Sequence, residues 1–228
     1  MLMKIDVVIA RYKEDLSWIE YLKYSNYKNM TLYVYNKCGT EDAYVSSVDW
    51  AKVVQTHLPN LGRESHTYLH HILEHYDERD KITIFLQGNL SDHYSFYGFS
   101  DELHMIESMI EDCVTTSTCS EKFARIYDFG EYSAHWDFKV SSHNGQTLDI
   151  SPFKYGEWFE NYIGKYPGVD NLKWWIAACF CCSSSTIRKR DIKDYQLLIN
   201  RLSSPNPEEG HFMERSWYQF FQNEGIRV

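Results

Sequence analysis

Apolar and polar positions along the chain alternate in a way that predicts short strands separated by amphipathic helices. Residues 5–10 (IDVVIA) are an apolar run and a first strand. A polar loop follows at 11–15. A short helix is expected over 16–24, with Leu16, Ile19 and Leu22 inward and Asp15 placed to cap it. Residues 32–35 form a second strand, ended by Asn36, Lys37, Cys38 and Gly39. Val53 and Val54 mark a third.

The longest informative stretch is 58–93, LPNLGRESHTYLHHILEHYDERDKITIFLQGNLSDH. Leu69, Ile72, Leu73 and Tyr76 recur at i, i+3, i+4 and i+7, one stripe of a helix. A charged break at 77–81 separates it from Ile82–Thr83–Ile84–Phe85–Leu86. That run is short, β-branched and without alternation, as in a strand buried on both faces of a parallel sheet. Gln87, Gly88, Asn89, Asp92 and His93 come next. In open α/β sheets ligands bind outside the carboxyl ends of the strands, where this polar cluster would lie.

Further on, Ser100 suits the N-cap of a helix over 100–114, with Leu103, Ile106, Met109, Ile110 and Val114 on one face. A strand is expected at 123–127, and a polar loop at 141–152 with Asn144-Gly145 as its turn. An aromatic-rich helix over 155–163 and a buried strand over 174–182 follow. Ile192, Tyr195, Ile199 and Leu202 mark another helix. The last helix is expected to start with Asn206 as N-cap and Pro207 at N1, with Glu208 and Glu209 as first-turn charges and Glu209 at N3. Its apolar stripe is Met213, Trp217, Phe220 and Phe221. Right-handed crossovers then bring the ends of 5–10, 32–35 and 82–86 to one edge. The expectation is an α/β fold: a Rossmann-like, mostly parallel sheet flanked by helices, in a single domain over 1–228.

Composition narrows the function classes. Net charge is −9, against a nucleic-acid backbone partner. No apolar run reaches the length of a membrane span, and no leader pattern precedes the first strand. The six cysteines include no CxxC pair and are expected as reduced thiols of a cytoplasmic protein. Aromatics make up 16% of residues, enough to fill a core and line a cleft.

Several polar groups are placed for chemistry. Gln87, Asn89, Asp92 and His93 follow the central strand, against a bland role as strand-capping loop. Arg63 stands at a helix start, where free N–H groups attract an anion, or is an ordinary first-turn charge. His66/His70 and His71/His75 are i, i+4 pairs able to bind zinc if a third ligand joins them. His66 is nearest the helix start. Glu214, beside Arg215, is a candidate general base or part of a surface ladder, with His211 and Arg215 as i, i+4 neighbours. Trp174 and Trp175 are a stacking platform or core.

The run from Asn60-Leu61-Gly62-Arg63-Glu64 through His66-Thr67-Tyr68-Leu69-His70-His71-Ile72, the strand ending Phe85-Leu86-Gln87-Gly88-Asn89, and the later ERSWYQFF segment resemble an uncharacterised family of fungi, bacteria and large DNA viruses. That family is similar to compact GT-A glycosyltransferases. The resemblance implies a nucleotide-binding half over 1–95 and an acceptor-side half over 96–228. It implies a nucleotide-sugar donor, such as a UDP-sugar, and a glycan or glycoprotein acceptor. Donor contacts fall to Arg11, Asn36, Arg63, His66, Gln87 and Asn89, and the acceptor's base to Glu214. GT-A enzymes hold Mn²⁺ or Mg²⁺ with Asp-x-Asp; here those positions are Gln87-Gly88-Asn89, whose neutral oxygens suit a hard cation less well. Either Asp92 and His93 supply metal ligands, or the protein works without metal, or it is a catalytically silent nucleotide- or carbohydrate-binding module. A zinc hydrolase built on the histidine pairs is the weaker alternative.

Overall fold

A computed structural model of the chain describes residues 3–91, 93–127 and 133–223. In chain order the elements are β1 (Lys4–Arg11), β2 (Met30–Asn36), β3 (Lys52–His57), α1 (Arg63–Glu74), β4 (Lys81–Gln87), α2 (Glu102–Thr116), β5 (Arg125–Ile126), β6 (Ser142–His143), β7 (Gln146–Thr147), α3 (Tyr155–Tyr162), β8 (Lys173–Trp174), β9 (Phe180–Ser183), the single turn α4 (Ser184–Ile187), α5 (Ile192–Arg201) and α6 (Glu208–Gln222). They build two compact units interleaved along the chain. The first comprises Met1–Asn60, Asp77–Phe123 and Cys179–Thr186; the second comprises Leu61–Tyr76, Ala124–Ala178 and Ile187–Val228.

The first unit is built on a five-stranded sheet in the order β3-β2-β1-β4-β9. The first four strands are parallel and β9 runs antiparallel to β4. The expected α/β class and mostly parallel, Rossmann-like sheet are therefore observed. Val7 pairs with Leu32 on one side and Ile84 on the other, at the sheet's centre. Ile5 to Ile9 and Lys81 to Leu86 are buried throughout, which explains why apolar residues dominate both. Lys81, read as part of a charged break, is buried against Asp6 and bonds Glu78 at 3.0 Å. The segment after β1 is a 3-10 helix, Ser17–Tyr24. Leu16, Ile19 and Leu22 are buried as expected, and Asp15 Oδ1 accepts from the Ser17 N–H at 2.9 Å. α2 packs on β4 and β9. Its cap is Asp101, not Ser100: the carboxylate accepts from the His104 N–H at 2.9 Å and meets the positive helix end with a full charge. Met105 and Cys113 join the buried face, while Val114 is exposed.

The second unit packs α1, α3, α5 and α6 with the β6–β7 hairpin and a two-stranded antiparallel sheet of β5 and β8. The turn between β6 and β7 carries Asn144 at φ 50° and Gly145 at φ 74°, the left-handed pair a two-residue hairpin requires. α6 begins one residue later than the sequence suggests, with Pro207 as N-cap. A backbone bridge explains the shift. Asp149 N donates to Asn206 O and Glu208 N to Asp149 O, both at 2.9 Å, so Pro207 stays extended. Glu208 and Glu209 are buried rather than solvated first-turn charges. Glu208 accepts from Lys139 Nζ and the Val140 and Ser151 N–H groups; Glu209 accepts from Trp158 Nε1, Ser151 Oγ and Arg201. Arg190 is fully buried, donating to Phe220 O at 2.7 Å and Ile163 O at 2.8 Å with its guanidinium over the Phe220 ring.

The run over 174–182 is not one strand. β8 ends at Trp174, and Ala177 and Ala178 turn into the left-handed region at φ 56° and 49° before β9 begins. Its two parts belong to different units, and no glycine or proline marks the break. Trp174 and Trp175 have no exposure, so they are core rather than a stacking platform.

Candidate functional site

The sheet order places β1 between β2 and β4, so the direction of strand succession reverses between β1 and β4. Such a switch point opens a crevice outside the carboxyl ends of the two strands. β1 ends there at Arg11 and β4 at Gln87, and the parallel ladder continues past both, with Gly88 N donating to Ala10 O at 2.9 Å.

Beneath this rim lies a buried polar lattice. Arg11 donates to Asn36 Oδ1 at 2.8 Å, Thr40 O at 3.0 Å and Glu14 O at 3.0 Å, and pairs with Asp42 at 3.3 Å. Asn36, with no exposure, donates through Nδ2 to Gln55 Oε1 at 3.0 Å. Arg11 and Asn36 therefore hold the loop after β2 against the end of β1 and position it. The sequence reading named both but missed Asp42, from the loop after β2, and Gln55, from β3, which complete the lattice.

Glu14 is the other residue it missed. Its Oε2 accepts from the Tyr12 N–H at 2.6 Å and the Lys13 N–H at 3.1 Å, folding the β1 loop back over β4. A Cβ on Gly88 would come within 2.8 Å of that oxygen and 3.1 Å of Glu14 Cβ, so glycine is what lets the two strand ends close. Trp18 Nε1 bonds Gly88 O at 2.9 Å from within the unit. Tyr12 and Lys13 are exposed at the rim, the Lys13 ammonium 5.1 Å from the Tyr12 ring centre. Gln87 Oε1 lies 3.3 Å from His93 Nε2, and Asn89 Oδ1 accepts from Ser91 N and Oγ. Gly88→Ala should lower the melting midpoint by about 2–4 °C, the equivalent of about 1 kcal/mol in a chain of this size. It should also displace the Glu14 turn, read as faster hydrogen exchange at the amides of Tyr12 and Lys13. Unchanged exchange there would mean that the turn does not depend on Gly88.

In the second unit, α1 starts with Gly62 and Arg63 both in left-handed conformation, at φ 58° and 55°. Instead of one apolar stripe, its first two turns are buried all round, from Glu64 to Leu69. His66 and His71 are buried, and the His71 and His75 rings lie 4.4 Å apart. Arg63 crosses α6 at Gly210, where an added Cβ would meet Arg63 Cδ at 2.9 Å. Its Nη1 lies 3.3 Å from His211 Nε2. A guanidinium only donates, so Nε2 accepts and His211 carries its proton on Nδ1. Arg215, buried, donates to Ser133 O and His211 O and stacks over Phe138 at 4.2 Å. The His143 ring is 4.9 Å from His211. Burial first, then Arg63, Arg215 and His143, push the His211 pKa down to about 2. The imidazole is thus a neutral group among cations. Glu214 is half-buried on α6, its carboxylate 3.8 Å from Arg215 Nη1.

The described residues do not fit Mn²⁺ or Mg²⁺. Gln87 and Asn89 offer neutral oxygens already facing His93 and Ser91, and Glu14 Oε2 serves two backbone amides. Among the described residues no three His, Cys, Asp or Glu are grouped to hold a metal ion. Asp92, expected as a ligand beside His93, lies outside them.

An α/β protein with a polar switch-point crevice is thus the class that fold and site define. The family described as "Protein of unknown function (DUF3431)" matches residues 7–227, and the chain belongs to it. No curated protein matches the chain. Among the described residues no helix is long and apolar enough to cross a membrane.

Proposed function

We propose that the chain is a glycosyltransferase of GT-A type, taking a nucleotide-sugar donor at the carboxyl edge between β1 and β4 and passing the sugar to an acceptor hydroxyl. The observation that carries this reading is the β3-β2-β1-β4 order, which sets a switch point beside the Gln87-Gly88-Asn89 turn. The sequence resemblance to compact GT-A enzymes supports it. In this reading Arg11 and Asn36 fix the rim, Lys13 supplies a cation for the diphosphate, and Gln87 and His93 contact the donor by hydrogen bonds. A cation held near the leaving diphosphate stabilises the charge that develops on it.

A second reading has a specific observation in its favour. The oxygens of Gln87 and Asn89, standing where GT-A enzymes carry carboxylates, are engaged locally by His93 and Ser91. That favours a module that binds a nucleotide sugar without turning it over. Release of free nucleotide from UDP- and GDP-sugars, measured with and without Mn²⁺ and acceptor glycans, separates the two. Release that falls at least tenfold in Lys13→Ala supports the transferase. Saturable donor binding with no release under any condition would replace it with the module.

A further inference from the structure

Four of the cysteines gather inside the first unit. Cys113, Cys119, Cys181 and Cys182 are all fully buried. Cys119 and Cys182 face each other in an isolated antiparallel bridge, 63 residues apart in the chain, with their sulfurs 2.7 Å apart. The flanking hydrogen bonds define the geometry: Ser120 N donates to Cys181 O at 2.8 Å and Ser183 N to Thr118 O at 2.7 Å. Cys119 and Cys182 are therefore a non-hydrogen-bonded pair, whose Cα atoms stand about 4.5 Å apart and whose side chains approach most closely. A disulfide spans Cα separations of about 4.4–6.8 Å, so the backbone already satisfies it. The other pair differs. Cys181 is hydrogen-bonded to Cys113, but Cys113 Sγ donates to Thr118 O at 3.3 Å, and no backbone bridge joins the two.

We infer that Cys119 and Cys182 form a disulfide when the chain folds under oxidising conditions, tying the segment after α2 to β9. The oxidant is a low-molecular-weight disulfide. A thiolate of one cysteine attacks it and releases one small thiol; the second cysteine then displaces the other small thiol as the intramolecular S–S bond forms. Two protein thiols are oxidised and one disulfide is reduced to two thiols. Neither sulfur is exposed in the folded chain, and burial raises the Cys182 thiol pKa. Exchange therefore belongs to folding rather than to the finished fold.

The test refolds the full chain from denaturant in a glutathione redox buffer and counts thiols after denaturing alkylation. Wild type should lose two of its six thiols. Cys119→Ala and Cys182→Ala should lose none, and Cys113→Ala should still lose two. The oxidised chain should melt several degrees above the reduced one, because the bond closes a long loop. Should the alanine variants fail to fold, fragmentation of the crosslinked wild-type peptide decides alone: a bond at Cys119 and Cys182 supports the inference. Retention of all six thiols, or a bond between any other pair, overturns it.

Discussion

Gly62→Ala should destabilise the second unit by about 3 kcal/mol, one part from holding a side chain at left-handed φ and the larger part from overpacking. At φ 58° the added Cβ would sit 2.4 Å from Leu202 O and 2.6 Å from His66 Cβ. Leu202 is fully buried at the end of α5, and Gly62 N donates to Ser204 O at 2.8 Å. Backbone therefore packs on backbone, and no flexible side-chain tip can swing away. The measurement is the melting midpoint, expected to fall by about 6–12 °C at about 2–4 °C per kcal/mol. Gly39→Ala is the control. It has φ 77° but nothing within 4 Å of its would-be Cβ, so only backbone strain of about 1 kcal/mol applies. Equal losses in the two variants would mean that the close approach of α1 to Leu202 does not exist.

The second large effect is a pH dependence centred on His211. Its pKa is pushed from the ordinary imidazole value of 6.5 to about 2 in the folded chain. Between these values the unfolded chain binds a proton that the folded chain refuses. Stability from this group is therefore complete above about pH 6.5 and declines as pH falls through it, by at most about 1.4 kcal/mol per unit. From pH 7 to pH 5 the loss should be about 2 kcal/mol. The charged and titratable neighbours that face it are Arg63 from α1, Arg215 from its own helix and His143 from β6. His211→Gln keeps an acceptor for Arg63 and removes the titration. Urea unfolding at several pH values should therefore give a shallower acid-side slope for the variant. Identical slopes would show that the imidazole is not held neutral between the two guanidinium groups.

Much of the first unit was readable from the sequence, because strands buried on both faces read as near-continuous apolar runs. The 82–86 run lies wholly inside β4, and 5–10 and 32–35 fall inside β1 and β2. Helix starts were readable to within a residue, since adjacent candidate caps compete and a tertiary bridge can hold a residue out of the helix. Asp101 displaced Ser100, and the Asp149 bridge kept Pro207 out of α6. The break at Ala177 and Ala178 had no local signal, because alanine carries no preference for left-handed φ. The site divides in the same way. Arg11, Asn36, Gln87, Asn89 and His93 were found because they follow strands, and position along a strand predicts the edge. Their partners Asp42 and Glu14 come from loops, and Gln55 from the neighbouring strand β3, whose approach depends on the folded backbone. Glu208 and Glu209 looked like first-turn charges because burial of a carboxylate cannot be read from its immediate neighbours.

The central claim is that the carboxyl edge between β1 and β4 receives a nucleotide-sugar donor. The most direct measurement is hydrogen–deuterium exchange of the full chain with saturating UDP- or GDP-sugar, compared with the chain alone. The account predicts slowed exchange in residues 11–15, 36–40 and 87–91 with one donor class. Exchange unchanged there with every donor, or protection confined to other segments, would contradict it.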